Sequence, residues 1–140
     1  MLGQVLRWAR TYYPADKFDH ACRVAEFVWE NDAICVGGDF RTRCYIVALA
    51  HDLLEDTDFN IADFKYLEQV YYNSDSMTRA LKYLTHDKEK ETYEQYIERI
   101  PKGSLAYWVK IADMKDHLTQ TATLTDKLKE KYLRGLAILL

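Results

Sequence analysis

Tyr45-Ile46-Val47-Ala48-Leu49-Ala50-His51-Asp52-Leu53-Leu54-Glu55-Asp56 decides how this chain is read. Six apolar residues reach a position where four groups able to bind or polarise a cation fall within six residues. The apolar part predicts the buried body of a helix, with His51, Asp52, Glu55 and Asp56 gathered at its C-terminal end. At 3.6 residues per turn, Glu55 lies one turn beyond His51 and Asp56 one turn beyond Asp52. Acidic groups in a last turn oppose the helix dipole, so a purely superficial role leaves that conflict unrelieved. A divalent cation relieves it, and the stretch therefore reads as half of a metal site.

Outward from this stretch, apolar residues recur at spacings of three and four on both sides. Leu2, Val5, Leu6, Trp8, Ala9, Tyr12 and Tyr13 predict a first helix that ends before Pro14. Asp16 reads as the N-cap of a second, from Lys17 to about Asn31, burying Phe18, Ala21, Val24, Ala25, Val28 and Trp29. Gly37-Gly38-Asp39 breaks the chain, and a third helix runs from about Phe40 to Leu54. Asn60 caps a helix from Ile61 to about Tyr72, and Asn73-Ser74-Asp75 breaks and recaps the chain into a short helix ending at Leu84. Helices over 91–100, from Ser104 to about Leu118, and from about Thr125 to Leu139 complete the pattern. There is no strand alternation, repeat or linker, so the expected fold class is all-α: a single compact helical bundle of about eight helices covering residues 1–140.

At 140 residues the chain suffices for one domain that buries about 70% of its unfolded surface. Hydrophobic residues at 49%, with 11 tyrosines, exclude a disordered composition. A net charge of −3 argues against long nucleic acid as a partner while leaving room for a local basic pocket. Cys22, Cys35 and Cys44 are odd in number and lack C-x-x-C pairing, which points to reduced thiols in a cytoplasmic protein. No signal peptide and no membrane-length apolar run is evident, so no membrane partner is expected.

A second acidic element, Val109-Lys110-Ile111-Ala112-Asp113-Met114-Lys115-Asp116-His117, sets Asp113 behind residues that the pattern buries. An isolated buried carboxylate is costly and finds a partner or a metal. His20 has the same character on the second helix. Together His20, His51, Asp52 and Asp113 offer two imidazoles and two carboxylates, a donor set suited to Mn²⁺, Fe or Zn.

This order, a lone His, then His-Asp, then a distant Asp, resembles the HD-domain metal-dependent phosphohydrolases. The finer resemblance is to the ppGpp hydrolase branch, the RelA/SpoT homologues and their small single-domain relatives. That branch's H-D-x-x-E-D-T stands here as His51 to Thr57 and its K-x-A-D as Lys110 to Asp113. Its L-T segment stands as Leu84-Thr85 and its Y-x-x-Y-I helix as Tyr93 to Ile97. The resemblance spans residues 16 to 118. It implies an all-helical fold holding a divalent cation, Mn²⁺ first, on His20, His51, Asp52 and Asp113. Two departures accompany it. The branch's Asn four residues after the last metal-binding Asp is His117 here, and its Arg-Lys pair upstream of the first His is missing before Pro14 to His20.

The implied activity is phosphoester or phosphoanhydride hydrolysis in a small nucleotide, with the 3′-pyrophosphate of (p)ppGpp as the named substrate. Another phosphorylated nucleotide (a nucleoside monophosphate, a cyclic nucleotide or NADPH) and a non-catalytic nucleotide-binding protein are the alternatives. Glu55 and Asp56 are expected to orient the attacking water and accept its proton. Lys82, Lys88 and Lys110 are expected to neutralise phosphates; Thr85, Tyr93, Tyr96 and His117 are expected to contact the substrate. Aromatics exposed on the first and last helices leave a homodimer contact open.

Overall fold

The apolar run Ile46–Ala50 is completely buried and forms the second half of α3 (Phe40–Ala50). This helix packs between α2 (Ala15–Glu30) and α8 (Leu105–Thr119), and the three make the central contacts of the fold. Around them lie α1 (Leu2–Tyr12), α4 (Leu53–Asp56), α5 (Ile61–Tyr72), α6 (Ser76–Tyr83), α7 (Tyr93–Glu98) and α9 (Asp126–Leu139). The structure, a computed structural model, describes residues 1–34 and 37–140, and every regular element among them is helical. Cys35 lies outside the described residues, whereas Cys22 and Cys44 are free thiols. Burial pushes the Cys44 thiol up to about 12. No helix among the described residues is long and apolar enough to cross a membrane.

Seven of the eight expected helices are present near their expected bounds; the third is broken in two. A helix continuous to Leu54 would send the Asp52 N–H to the Ala48 carbonyl. Instead the Ala48 carbonyl accepts from His51 Nδ1 at 2.6 Å, and the Asp52 N–H donates to the Tyr13 hydroxyl at 3.1 Å. Asp52 turns to φ −100°, ψ 0°, and a single new turn, α4, follows. The Thr57 hydroxyl ends that turn by donating to the Leu53 carbonyl at 2.6 Å and accepting from the Phe59 N–H at 3.2 Å.

Other boundaries have equally local causes. Asp16 is not the cap of α2: Pro14, with φ fixed at −64° in an extended residue, occupies the N-cap, and Asp16 falls in the first turn. The helix expected over 91–100 is shorter, opened by a capping box between Thr92 and Gln95. Asn60 caps as the pattern predicts, and Ser104 and Thr125, at the expected starts of their helices, cap them too, each accepting a backbone N–H. Asn73 ends α5 in the left-handed region at φ 49°. The recap of α6 comes mainly from outside it. The buried Glu68 carboxylate accepts from the N–H groups of Met77 and Thr78 at 2.7 and 2.8 Å and from the Thr78 hydroxyl at 2.7 Å. A negative group thus meets the orphan donors and positive dipole end of α6.

Trp29, expected inside, is 49% exposed and stands edge-on to Tyr45. The aromatics of α1 are used internally instead, with Trp8 and Tyr12 both packed on Phe59. On α9 Tyr132 is only partly exposed, lying against His117. Tyr66, Val70 and Tyr71 give α5 an exposed apolar face.

Candidate metal centre

The break after α3 turns His51 and Asp52 inward towards α2 and α8. His20 reaches the same point from the first half of α2, and Asp113 from the middle of α8. One donor atom from each of these four residues lies within 4.8 Å of the other three. His20 Nε2 is 2.9 Å from Asp113 Oδ1 and 3.7 Å from Asp52 Oδ2. His51 Nε2 is 3.3 Å from the same Asp113 oxygen and 3.2 Å from the same Asp52 oxygen. The donor set fits a divalent cation: one oxygen of each carboxylate and the Nε2 of each imidazole converge, while the other polar atoms of His20, His51 and Asp113 are held from behind.

The supports are specific. His51 Nδ1 is bound to its own chain at Ala48, and His20 Nδ1 is 2.6 Å from Asp116 Oδ2. Asp116 is itself gripped by Arg23, with Nε to Oδ1 at 2.7 Å and Nη2 to Oδ2 at 3.1 Å. Both rings therefore present Nε2 to the centre. Lys110, 9% exposed, donates to Asp113 Oδ2 at 2.7 Å and lies over the Tyr96 ring. These contacts set the electrostatics. Burial opposes the charged form of His51, yet Asp52 and Asp113 hold its pKa well above the ordinary imidazole value. Burial likewise opposes charge on His20, outweighed chiefly by Asp113. For Asp113 burial is overcome by Lys110 and then by the three imidazoles, which hold its carboxyl well below the usual range.

Above the four residues opens a cavity of about 210 Å³, walled by Asp52, Glu55, Asp56, Lys88, Tyr93, Tyr96, Lys110, Asp113 and His117 of the residues expected at the site. Glu55 accepts the His86 N–H at 2.8 Å, and Asp56 pairs with Lys17 at 3.0 Å, so both acids are fixed at its edge. Lys82 is exposed on α6 and does not line the cavity. Thr85 does not line it either; its hydroxyl donates to the Leu81 carbonyl at 2.8 Å. The Tyr96 hydroxyl is spent on the Leu84 carbonyl at 2.9 Å, and the residue is buried, with Lys110 and Arg99 against its ring. His86 stacks on that ring, with centroids 4.8 Å apart and planes at 9°.

Lys17, His86, Lys131 and Tyr132 also line the cavity. Lys17 lies three residues before His20 on the same face of α2, a spacing visible in the sequence. Lys131 and Tyr132 come from α9, where no local signal marks them. Burial and the positive charges of Lys110 and Lys88 lower the pKa of Lys131. Four lysines thus share one small space with Asp52, Glu55, Asp56 and Asp113; Lys17 and Lys110 are paired with Asp56 and Asp113, and Lys88 and Lys131, in no ion pair among the described residues, are the cations left to face an anion. No protein-family model matches this chain and no curated protein matches it.

Proposed function

We propose that this protein is a divalent-metal-dependent phosphohydrolase of the HD type acting on a small phosphorylated nucleotide, with (p)ppGpp, cleaved at its 3′-pyrophosphate, as the first substrate. The observation that supports this reading is the meeting of His20, His51, Asp52 and Asp113 within 4.8 Å under a cavity that Lys88 and Lys131 also line. Two imidazoles and two carboxylates suit Mn²⁺, with Fe²⁺ and Zn²⁺ compatible. A cation bound there supplies Lewis-acid polarisation of a phosphoryl oxygen and makes water nucleophilic near neutral pH.

The chain's own residues do the rest. Glu55 and Asp56, held at the rim by the His86 N–H and Lys17, accept the proton of the attacking water. The water oxygen forms a new bond to phosphorus, the bridging P–O bond breaks, and the leaving oxygen takes up a proton. Lys88 and Lys131 face the charge that spreads over the phosphoryl oxygens. A cavity of about 210 Å³ is smaller than the roughly 300 Å³ of ordinary small-molecule pockets, which fits the phosphate end of a nucleotide with its base outside.

The test is a turnover panel: EDTA-treated protein reloaded with Mn²⁺ and offered ppGpp, pppGpp, nucleoside monophosphates, a cyclic nucleotide and NADPH. Pyrophosphate release from ppGpp, abolished in Asp52→Ala, is expected. Turnover of a different compound alone replaces the substrate. An Asp52→Ala variant as active as the parent removes the metal-dependent hydrolase altogether.

A further inference from the structure

His117 stands one helical turn after Asp113 on α8, an i, i+4 pair of the kind that lets two side chains of one helix take a single ion. Its Nε2 is 3.2 Å from Asp113 Oδ1, the oxygen that also faces His20 Nε2 at 2.9 Å and His51 Nε2 at 3.3 Å. Three imidazole nitrogens around one oxygen exceed what its hydrogen bonding requires, since Lys110 already holds the other oxygen of that carboxylate. Two donors bound to one ion at about 2.1 Å lie about 3.0 to 3.4 Å apart for angles between square and tetrahedral. The separation between His117 and Asp113 falls in that range, whereas the donors that all lie within 4.8 Å of one another are those of His20, His51, Asp52 and Asp113, so His117 joins them by a shift of its ring towards the centre.

The ring is also held in place. On one side it stacks on Tyr132, with centroids 4.6 Å apart and planes at 5°; on the other it meets the His20 ring at 4.6 Å and 31°. Its side chain is 36% exposed and lines the cavity, so it approaches from the open side, whereas His20 and His51 are buried beneath.

We infer that His117 is a third imidazole donor to the ion held by His20, His51, Asp52 and Asp113, and that it moves metal preference from Mn²⁺ towards Fe²⁺, Co²⁺ and Zn²⁺. This rests on the metal-centre reading above. Each nitrogen added to a site raises affinity for the later first-row ions more than for manganese.

The experiment counts nitrogens. Protein loaded with one equivalent of Cu²⁺ is examined by electron paramagnetic resonance for imidazole superhyperfine coupling, in the parent and in His117→Gln, whose amide can still donate to Asp113. Three coupled nitrogens in the parent and two in the variant are expected. Titration of the two proteins should show Zn²⁺ affinity falling at least tenfold, with Mn²⁺ affinity falling no more than about threefold. Two nitrogens in the parent itself overturn the inference without any variant, and leave the four-residue centre standing. Equal losses for Zn²⁺ and Mn²⁺ also overturn it, since they make His117 a support for Asp113 only. If the parent takes up no stoichiometric ion, the metal centre and the inference fall together.

Discussion

Asp116→Asn isolates the support behind His20. Asp116 is 1% exposed and accepts from His20 Nδ1 and twice from Arg23. Asparagine keeps one acceptor oxygen and turns the other into a donor facing a donor. Hydrogen bonds to charged groups contribute about 1.5–3 kcal/mol each. Arg23 is 37% exposed, so its share is screened to about 1 kcal/mol or less. The buried contact to His20 then dominates, and a total loss of about 2–3 kcal/mol is expected. With an unfolding entropy of about 2.1 cal/mol/K per residue, 140 residues give a fall in Tm of about 7–10 °C. The His20 ring also loses the partner that fixes its tautomer, so Mn²⁺ affinity should drop about 10–100-fold. Calorimetric melting and Mn²⁺ titration read the two effects separately, with Arg23→Gln as a control that leaves Asp116 on His20. Lowered melting with parental Mn²⁺ affinity in Asp116→Asn would refute the argument that Asp116 aims His20 at an ion.

Three further outcomes follow from other parts of the molecule. A Cβ at Gly135 would sit 2.8 Å from both the Tyr93 hydroxyl and Met114 Cε, so Gly135→Ala should push α9 away from the cavity and cost about 1–3 kcal/mol in denaturant unfolding; an unchanged midpoint would mean the helix shifts freely. Glu68→Ala strips the buried cap from α6 and leaves the Met77 and Thr78 amides without their acceptor; a loss of about 2–4 kcal/mol is expected, and a parental melting curve would discount the cap. His20 and His51 have raised pKa values. Their ion pairs therefore stabilise the protein fully below the unfolded value of about 6.5, and that contribution is lost as pH climbs through the folded values. Metal uptake needs those nitrogens unprotonated, so Mn²⁺ affinity should rise with pH over that window and binding at pH 7 should release protons. Calorimetry in buffers of different ionisation enthalpy measures the release, and a value of zero would count against the site.

The periodicity of Val5, Ala9, Val24, Val28 and Val109 made the helices and their buried faces legible, because burial repeats every three or four residues in such elements. It could not show the break at His51-Asp52. That break depends on the Tyr13 hydroxyl, 39 residues away, taking an amide the local ladder would otherwise use. Asp113 and His20 were legible as polar groups on apolar faces, and Lys17 was within reach of the same reasoning one turn from His20. Lys131 and Tyr132 were not, since only the packing of α9 on α7 and α8 brings them to the cavity. Lys82 and Lys88 look alike as letters. One stands on the outer side of α6 and the other in the segment that crosses the cavity mouth, a difference of tertiary path alone.

The diverted Ala48 carbonyl has a wider effect than ending a helix. An imidazole tethered to its own backbone three residues earlier, beside an amide tied to the Tyr13 hydroxyl just after α1, forms a bracket anchored on one side within its own segment and on the other to the end of α1. On the opposite wall Lys88, Lys131 and Tyr132 come from a connecting segment and from α9, and none of them is hydrogen-bonded to His51 or Asp52. Change in what the cavity accepts can therefore accumulate on one side of it while the other keeps its shape.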